Sequence, residues 1–223
     1  MRTLAHALSL LLLAALPACA APRQSPPCED PRPLRVALVP VKNTHTQTRQ
    51  YRPLITALEA ATGRRVQAEP AKSYGSVIEG LLAGDIDLAE VGPASYAIAM
   101  KRGAQIDPIA SFTLQPGPAT PSSRAYHSVL ITRHDHPARD LKQLRGGTLS
   151  LTDPASTSGA ILPRQAVQRL TGVPLEAYFE RITFAGAHDR SIEAVRTGRV
   201  DATFVASNAV DDAVRNGALR MDE

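Results

Sequence analysis

The sequence predicts an α/β protein built as two similar lobes. Three observations predict it. Strand-like apolar runs alternate with helical-period stretches from Leu34 onward. A turn-rich segment at 115–123 interrupts that alternation. A short stretch, Gly84-Asp-Ile-Asp-Leu-Ala-Glu-Val-Gly-Pro-Ala-Ser95, is echoed by Gly198-Arg-Val-Asp-Ala-Thr-Phe-Val-Ala-Ser-Asn208. Regular alternation builds a sheet with crossover helices. The echo places one copy of a helix stop, an aliphatic-Asp pair, a buried strand and a small or polar turn in each half.

The elements follow in order. Leu34 to Val39 is a buried strand. Tyr51 to Thr62 carries Leu54, Ile55 and Leu58 at helical spacing, with Gly63 as its C-cap. Val66 to Glu69 is a short strand stopped by Pro70. Tyr74 to Ala83 puts Val77, Ile78, Leu81 and Leu82 on one helical face and stops at Gly84. Ile86 to Val91 is a strand, Ala94 to Arg102 a helix, and Ile109 to Leu114 another strand. The lobes join near residues 115 to 128. Tyr126 to Arg133 is a strong strand and begins the second run. Thr148 to Leu151, Ile182 to Phe184 and Val200 to Ala206 then read as strands. Ser158 to Leu170, Asp189 to Arg196 and Asn208 to Asn216 read as helices.

The N-terminus reads as an export signal. Arg2 precedes an apolar stretch from Leu4 to Leu16, which is too short to span a bilayer as a helix. Leu16-Pro-Ala-Cys19 follows, in the manner of a bacterial lipobox. Residues 1–18 are thus expected to be a signal peptide, and Cys19 the lipidated residue. Residues 19–33 form a Pro-rich tether containing Cys28, the second of 2 cysteines. With Cys19 acylated, Cys28 has no partner within the chain, so no structural disulfide is expected.

Composition narrows the classes. The 223 residues are 43% hydrophobic, enough for a core, and predict one or two domains. The formal charge of +4 and pI near 9.3 invite a nucleic-acid reading. The basic residues are dispersed, however, and no basic stripe interleaved with aromatics occurs, so no nucleic-acid partner is expected. His134-Asp-His136 lacks a spaced partner set for a metal. P-loop and dinucleotide fingerprints are absent, so no metal or cofactor is expected. Ser156, His188 and Asp189 fail as a hydrolase triad. Gly-x-Ser-x-Gly is missing, and an Asp adjacent to its His cannot readily orient that ring. The chain is not expected to be an enzyme.

The strand-to-helix turns carry the chemistry. Helix N-termini leave backbone N–H groups free and favour anions. Asp153-Pro-Ala-Ser-Thr-Ser-Gly159 adds the hydroxyls of Ser156, Thr157 and Ser158 to such an end, and Gly159 allows close approach to the backbone. The same residue types cap helices, so the stretch alone fits a cap or an anion cradle equally. Gly92-Pro-Ala-Ser95 is the corresponding turn of the first half, open to the same two readings. Asp189 suits an N-cap, which leaves His188 just outside the helix end, where its ring could donate to an anion and be held protonated by it.

Taken together, Asp153-Pro-x-Ser-Thr-Ser-Gly159, Ala-Gly-x-His188-Asp189, the Tyr126-x-Ser128 strand and Val91-Gly-Pro-x-Ser-Tyr96 occur in an order that resembles the phosphate/phosphite/phosphonate-binding components of ABC importers. The resemblance runs from about residue 34 to the end. It implies a type II periplasmic-binding fold, with lobe 1 at 34–123, lobe 2 at 124–223 and ligand in the cleft. It implies an oxyanion held by Ser156, Thr157, Ser158, His188 and Tyr126, with Ser128 and the cleft tyrosine Tyr74 as further contacts. It also implies an ABC permease as partner, a lipid-anchored monomer on the outer face of the bacterial membrane, and a hinge motion that presents the closed form to the permease. Asn208 stands where aminophosphonate-binding members carry a carboxylate, which favours phosphite, phosphate or an uncharged alkylphosphonate. Members of the family continue past the point where this sequence ends. The return crossing to lobe 1 is therefore expected to be missing, with weaker stability and binding. The same fold also serves ligand-sensing modules of signalling partners, an alternative that the lipobox disfavours.

Overall fold

The computed structural model describes residues 33–220 and Asp222. Cys19, Cys28 and the signal stretch lie outside the described residues. The chain folds into two small sheets, each flanked by helices. In the first, β1 (Leu34–Leu38) lies between β2 (Val66–Pro70) and β3 (Leu88–Glu90), and all pairs are parallel. The crossovers are α1 (Thr44–Thr62) and α2 (Tyr74–Ala83), and α3 (Pro93–Lys101) follows β3. In the second, β5 (Thr148–Leu151) lies between β6 (Arg181–Phe184) and β7 (Ala202–Ala206), again parallel. β4 (Ser128–Thr132) joins the far side of β7 antiparallel, with Ser128 opposite Ala206. The crossover from β5 is a π-helical turn, Thr157–Ile161, continued by α4 (Leu162–Thr171) and the short α5 (Leu175–Tyr178). α6 (His188–Arg196) and α7 (Ser207–Arg215) complete the run.

The orders β2-β1-β3 and β6-β5-β7 are the same topology twice. The echo noted in the sequence has one physical job in both sheets. Asp87 precedes β3 and accepts the Arg35 N–H at 2.8 Å. Asp201 precedes β7 and accepts the Thr148 N–H at 2.7 Å. Each carboxylate thus pins the start of the central strand, one residue before the first paired position of that edge. In return Asp87 N–H donates to Arg35 O and Asp201 N–H to Thr148 O. Both carboxyls are held below the usual range: Asp87 chiefly by the Arg35 side chain, Asp201 chiefly by the Thr148 backbone.

Most expected elements are present, with corrections at four places. The first helix begins at Thr44 rather than Tyr51. Asn43 caps it by accepting from the amides of His45 and Thr46, and buried Gln47 donates to Val39 O at 2.6 Å. Its polar first turns carry no apolar stripe, so periodicity alone misses them. Ile109 to Leu114 is not a strand. It pairs with no strand among the described residues, and Ile109 and Phe112 are 79% and 59% exposed. An apolar run becomes a strand only where a neighbour takes its backbone bonds. The β3 ladder spans only Leu88–Glu90, because β1 offers it three paired positions. The helix after β5 starts with a π turn, the i+5 bond running from Ile161 N–H to Ser156 O at 3.0 Å.

Packing separates into a core over each sheet. Leu149, Leu151, Val167, Leu175 and Phe204 fill the second, while Val39, Val77, Ile78 and Ala99 fill the first. No helix among the described residues is long and apolar enough to cross a membrane. Leu149 is fully buried on the central strand. Leu149→Ala is expected to cost about 3 kcal/mol of unfolding free energy through lost burial and a residual cavity, checked by urea titration against wild type.

Candidate functional site

In parallel sheets ligands gather outside the carboxyl ends of the strands. Here those ends face each other. The β1–α1 loop meets the start of α6: His188 N–H donates to Val41 O at 3.1 Å, and Asn43 N–H to Asp189 Oδ2 at 2.6 Å. Tyr74 N–H, at the start of α2, donates to Asp153 Oδ2 at 3.3 Å. At the start of α3, Ala94 N–H donates to Thr157 Oγ1 at 2.8 Å and Ser95 Oγ to Ala155 O at 3.0 Å. Lys42 pairs with Asp212 of α7 at 2.8 Å. Helix N-termini from both lobes therefore converge on one closed cleft.

The segment after β5 is the centre of that convergence. Ser156 is the N-cap of the π turn and accepts the Gly159 N–H at 3.1 Å. The Tyr74 phenol lies close enough to feel its hydroxyl. Thr157 reaches across the cleft to Ala94, with the Tyr126 phenol nearby. Ser158 is buried. Of the three hydroxyl residues only Ser156 caps the helix. Ser128 Oγ donates to Ser158 O at 2.6 Å, which supports the turn from behind rather than facing into it. The structure thus brings Tyr74, Tyr126, Ser156 and Thr157 into one neighbourhood, with Ser158 and Ser128 next to them.

Gly159 has a packing reason. A Cβ there would lie 2.2 Å from Thr152 Oγ1 and 2.4 Å from its Cβ. The glycine makes room for Thr152. Thr152 in turn holds the histidine: its Oγ1 is 3.0 Å from His188 Nδ1. Ala206 N–H also points at Nδ1, at 3.3 Å. A backbone donor requires Nδ1 to accept, so the proton of the neutral ring is assigned to Nε2. Nε2–H is then the donor left for a ligand. His188 is buried, and desolvation, with Lys42 adding to it, lowers its pKa from 6.5 to about 4. Without an anion in place the ring is neutral at physiological pH.

His188 is the first residue of α6, and the N-cap is Ala187, which offers no side chain. Asp189 is therefore not the cap; its carboxylate takes the Asn43 N–H instead. Ser95 likewise does not cap α3, whose N-cap is Gly92. Burial raises the pKa of Tyr74 and Tyr126, so both phenols keep their protons as donors. Asn208 lies at the start of α7 with its side-chain oxygen buried and unpartnered. Among the described residues no group of acidic, His and Cys side chains could hold a metal.

Four cleft residues carry no sequence signature: Thr152, Glu90, Tyr51 and Lys42. Thr152 looks like any β-branched strand residue. Glu90 is the last residue of β3, and burial, with the charge of Glu90 adding to it, raises the pKa of the Tyr51 phenol. Only the exposed-looking pattern of a charged residue in an otherwise apolar strand could have marked Glu90.

A profile of the family described as "ABC transporter, phosphonate, periplasmic substrate-binding protein" matches residues 36–223. The chain belongs to that family. It is 33% identical over 188 residues to the phosphate-import protein PhnD of Mycolicibacterium smegmatis, covering 81% of this chain and 57% of that protein. It is 28% identical over 188 residues to the phosphonates-binding periplasmic protein of Escherichia coli, covering 82% and 52%. The chain thus spans about half the length of these curated relatives. Among solved structures, a binding protein component of an ABC phosphonate transporter from Pseudomonas aeruginosa superposes with a TM-score of 0.72 at 21% identity, covering 84% of this chain and 62% of that one. PhnD1 of Prochlorococcus marinus, in complex with methylphosphonate, superposes with a TM-score of 0.68 at 20% identity, covering 84% and 68%. The fold is the two-lobed type II periplasmic-binding architecture.

The His188 environment sets a pH dependence. A base whose folded pKa is depressed binds fewer protons folded than unfolded, so stability falls as pH drops from about 6.5 towards 4. The loss from this group is expected to be about 3 kcal/mol. Urea titrations of wild type and His188→Asn across that window should diverge by this amount, the variant being flatter.

Proposed function

We propose that the chain is an extracytoplasmic solute-binding lipoprotein that captures a small phosphorus oxyanion (a phosphonate, phosphite or phosphate) for an ABC importer. The observation that carries this reading is the convergence of neutral donors on one cleft at helix N-termini. Ser156, Thr157 and Ser158 lie at the start of one helix. His188 opens another with Nε2–H available. Tyr74 and Tyr126 add two phenols whose protons are retained. Such donors, enclosed away from water, hold an anion without a guanidinium or ammonium clamp. Ser128 acts through the turn it supports.

In this reading lobe 1 is 34–123 and lobe 2 is 124–223, and the segment near residues 115 to 128 serves as the hinge. That segment is tied down on the second lobe: Thr120 Oγ1 donates to Ser207 Oγ at 2.8 Å, and Ala119 N–H to Asp211 Oδ1 at 2.9 Å. Cys19 carries the lipid, in keeping with Leu16-Pro-Ala-Cys19, and the closed form is the species that meets the permease. The names of the relatives, which describe phosphate import and phosphonate binding, support the ligand class.

The test is thermal and calorimetric titration with phosphite, phosphate and methylphosphonate. At a hundredfold excess over Kd the bound ligand is expected to stabilise by about 2.7 kcal/mol, a shift of several degrees in Tm. Ser158→Ala is expected to weaken binding about tenfold with little change in the ligand-free Tm. No shift with any of the three ligands would reject the reading.

A further inference from the structure

Glu90 is a half-buried acid beside the proposed anion site, and nothing described so far accounts for it. It ends β3, in the row of strand ends that builds the cleft. Gly92 follows two residues later, and a Cβ there would lie 3.2 Å from Thr157 Oγ1 and 3.9 Å from the Tyr126 hydroxyl. Glu90 therefore leaves the backbone next to the cradle. Its Oε2 has no hydrogen-bond partner and no contact with solvent.

The groups around it are few. Tyr51 faces it from α1, and its charge acts on Tyr74 of α2 and on Tyr126 at the entrance to β4. Lys42 acts on it from the β1–α1 loop, but that ammonium is already bonded to Asp212 and to Gln50, each at 2.8 Å. A carboxylate so placed opposes a second anion arriving at Thr157 and Tyr126, and there is little water to screen the two. Protonated, the same group turns from a repelling charge into a hydrogen-bond donor, and its unpartnered oxygen is satisfied.

We infer that Glu90 shares a proton with the ligand: in the complex one proton is held between Glu90 Oε2 and an oxygen of the bound oxyanion. The proton comes from solvent or from a hydroxyl of the ligand, and no other bond changes. This inference rests on the phosphorus-oxyanion reading above. It agrees with the direction in which burial pushes the free carboxyl, upward from the ordinary value. Linkage gives the sign. The proton is bound more tightly in the complex, so affinity falls as pH rises above the free pKa of Glu90, by up to tenfold per pH unit. Any proton that His188 takes up on binding is common to wild type and Glu90→Gln and cancels when the two are compared.

Calorimetry of methylphosphonate binding to the full chain in mild detergent, in two buffers of different ionisation enthalpy at pH 7 and pH 8, counts the protons. Wild type is expected to take up about one proton more than Glu90→Gln. The amide imitates the protonated acid, so Glu90→Gln should bind at least as tightly as wild type at pH 8. Equal proton counts in the two proteins would overturn the inference while leaving oxyanion binding intact. So would a Glu90→Gln chain that loses 2-aminoethylphosphonate but keeps methylphosphonate, because the carboxylate would then serve a ligand ammonium as an anion. Absence of binding in both proteins would remove the oxyanion reading and this inference together.

Discussion

The hydrogen bonds at His188 Nδ1 are the constraint on which the cleft depends. Thr152 Oγ1 and the Ala206 amide both address that nitrogen, from the ends of the two neighbouring strands β5 and β7. They fix the tautomer, aim Nε2–H outward and keep the ring neutral in a buried position. Gly159 is part of the same arrangement, since any side chain there would displace Thr152. The residues of the Asp153–Gly159 stretch are thus tied to the histidine through the protein interior.

The fold is the same small unit used twice. Asp87 and Asp201 perform one task at matching positions, tying the start of an edge strand to the start of the central strand. Register in a parallel sheet determines where the strand ends fall, and the strand ends carry the site. A one-residue slip would turn every side chain of the row to the opposite face. The two carboxylates therefore act at one end of each sheet to align chemistry at the other.

Much of this was legible in the sequence where local chemistry decides. Gly63 and Gly84 stop their helices in the left-handed conformation, and α2 opens at Tyr74, where the pattern expects it. The hydroxyl run at Ser156–Ser158 and the position of His188 at a helix start were also visible. Long-range pairing was not. Whether Ile109–Leu114 forms a strand depends on a neighbour, and whether Glu90 matters depends on what faces it across the fold. Asp189 and Ser95 have the composition of caps but are turned to the other lobe, where Asn43 and Ala155 compete for them. Thr152 is silent in sequence because its role consists of one distance to one ring nitrogen.

The bonds that close the cleft use protein groups on both sides: Thr157 with Ala94, Ser95 with Ala155, Asp189 with Asn43, and Lys42 with Asp212. If the chain binds a solute as proposed, that solute would wait for the lobes to part before it enters, and the opened fraction would multiply its intrinsic affinity. Capture then becomes a gated process. Its rate rises with solute concentration only until opening itself is limiting, and the same contacts that slow entry also slow escape.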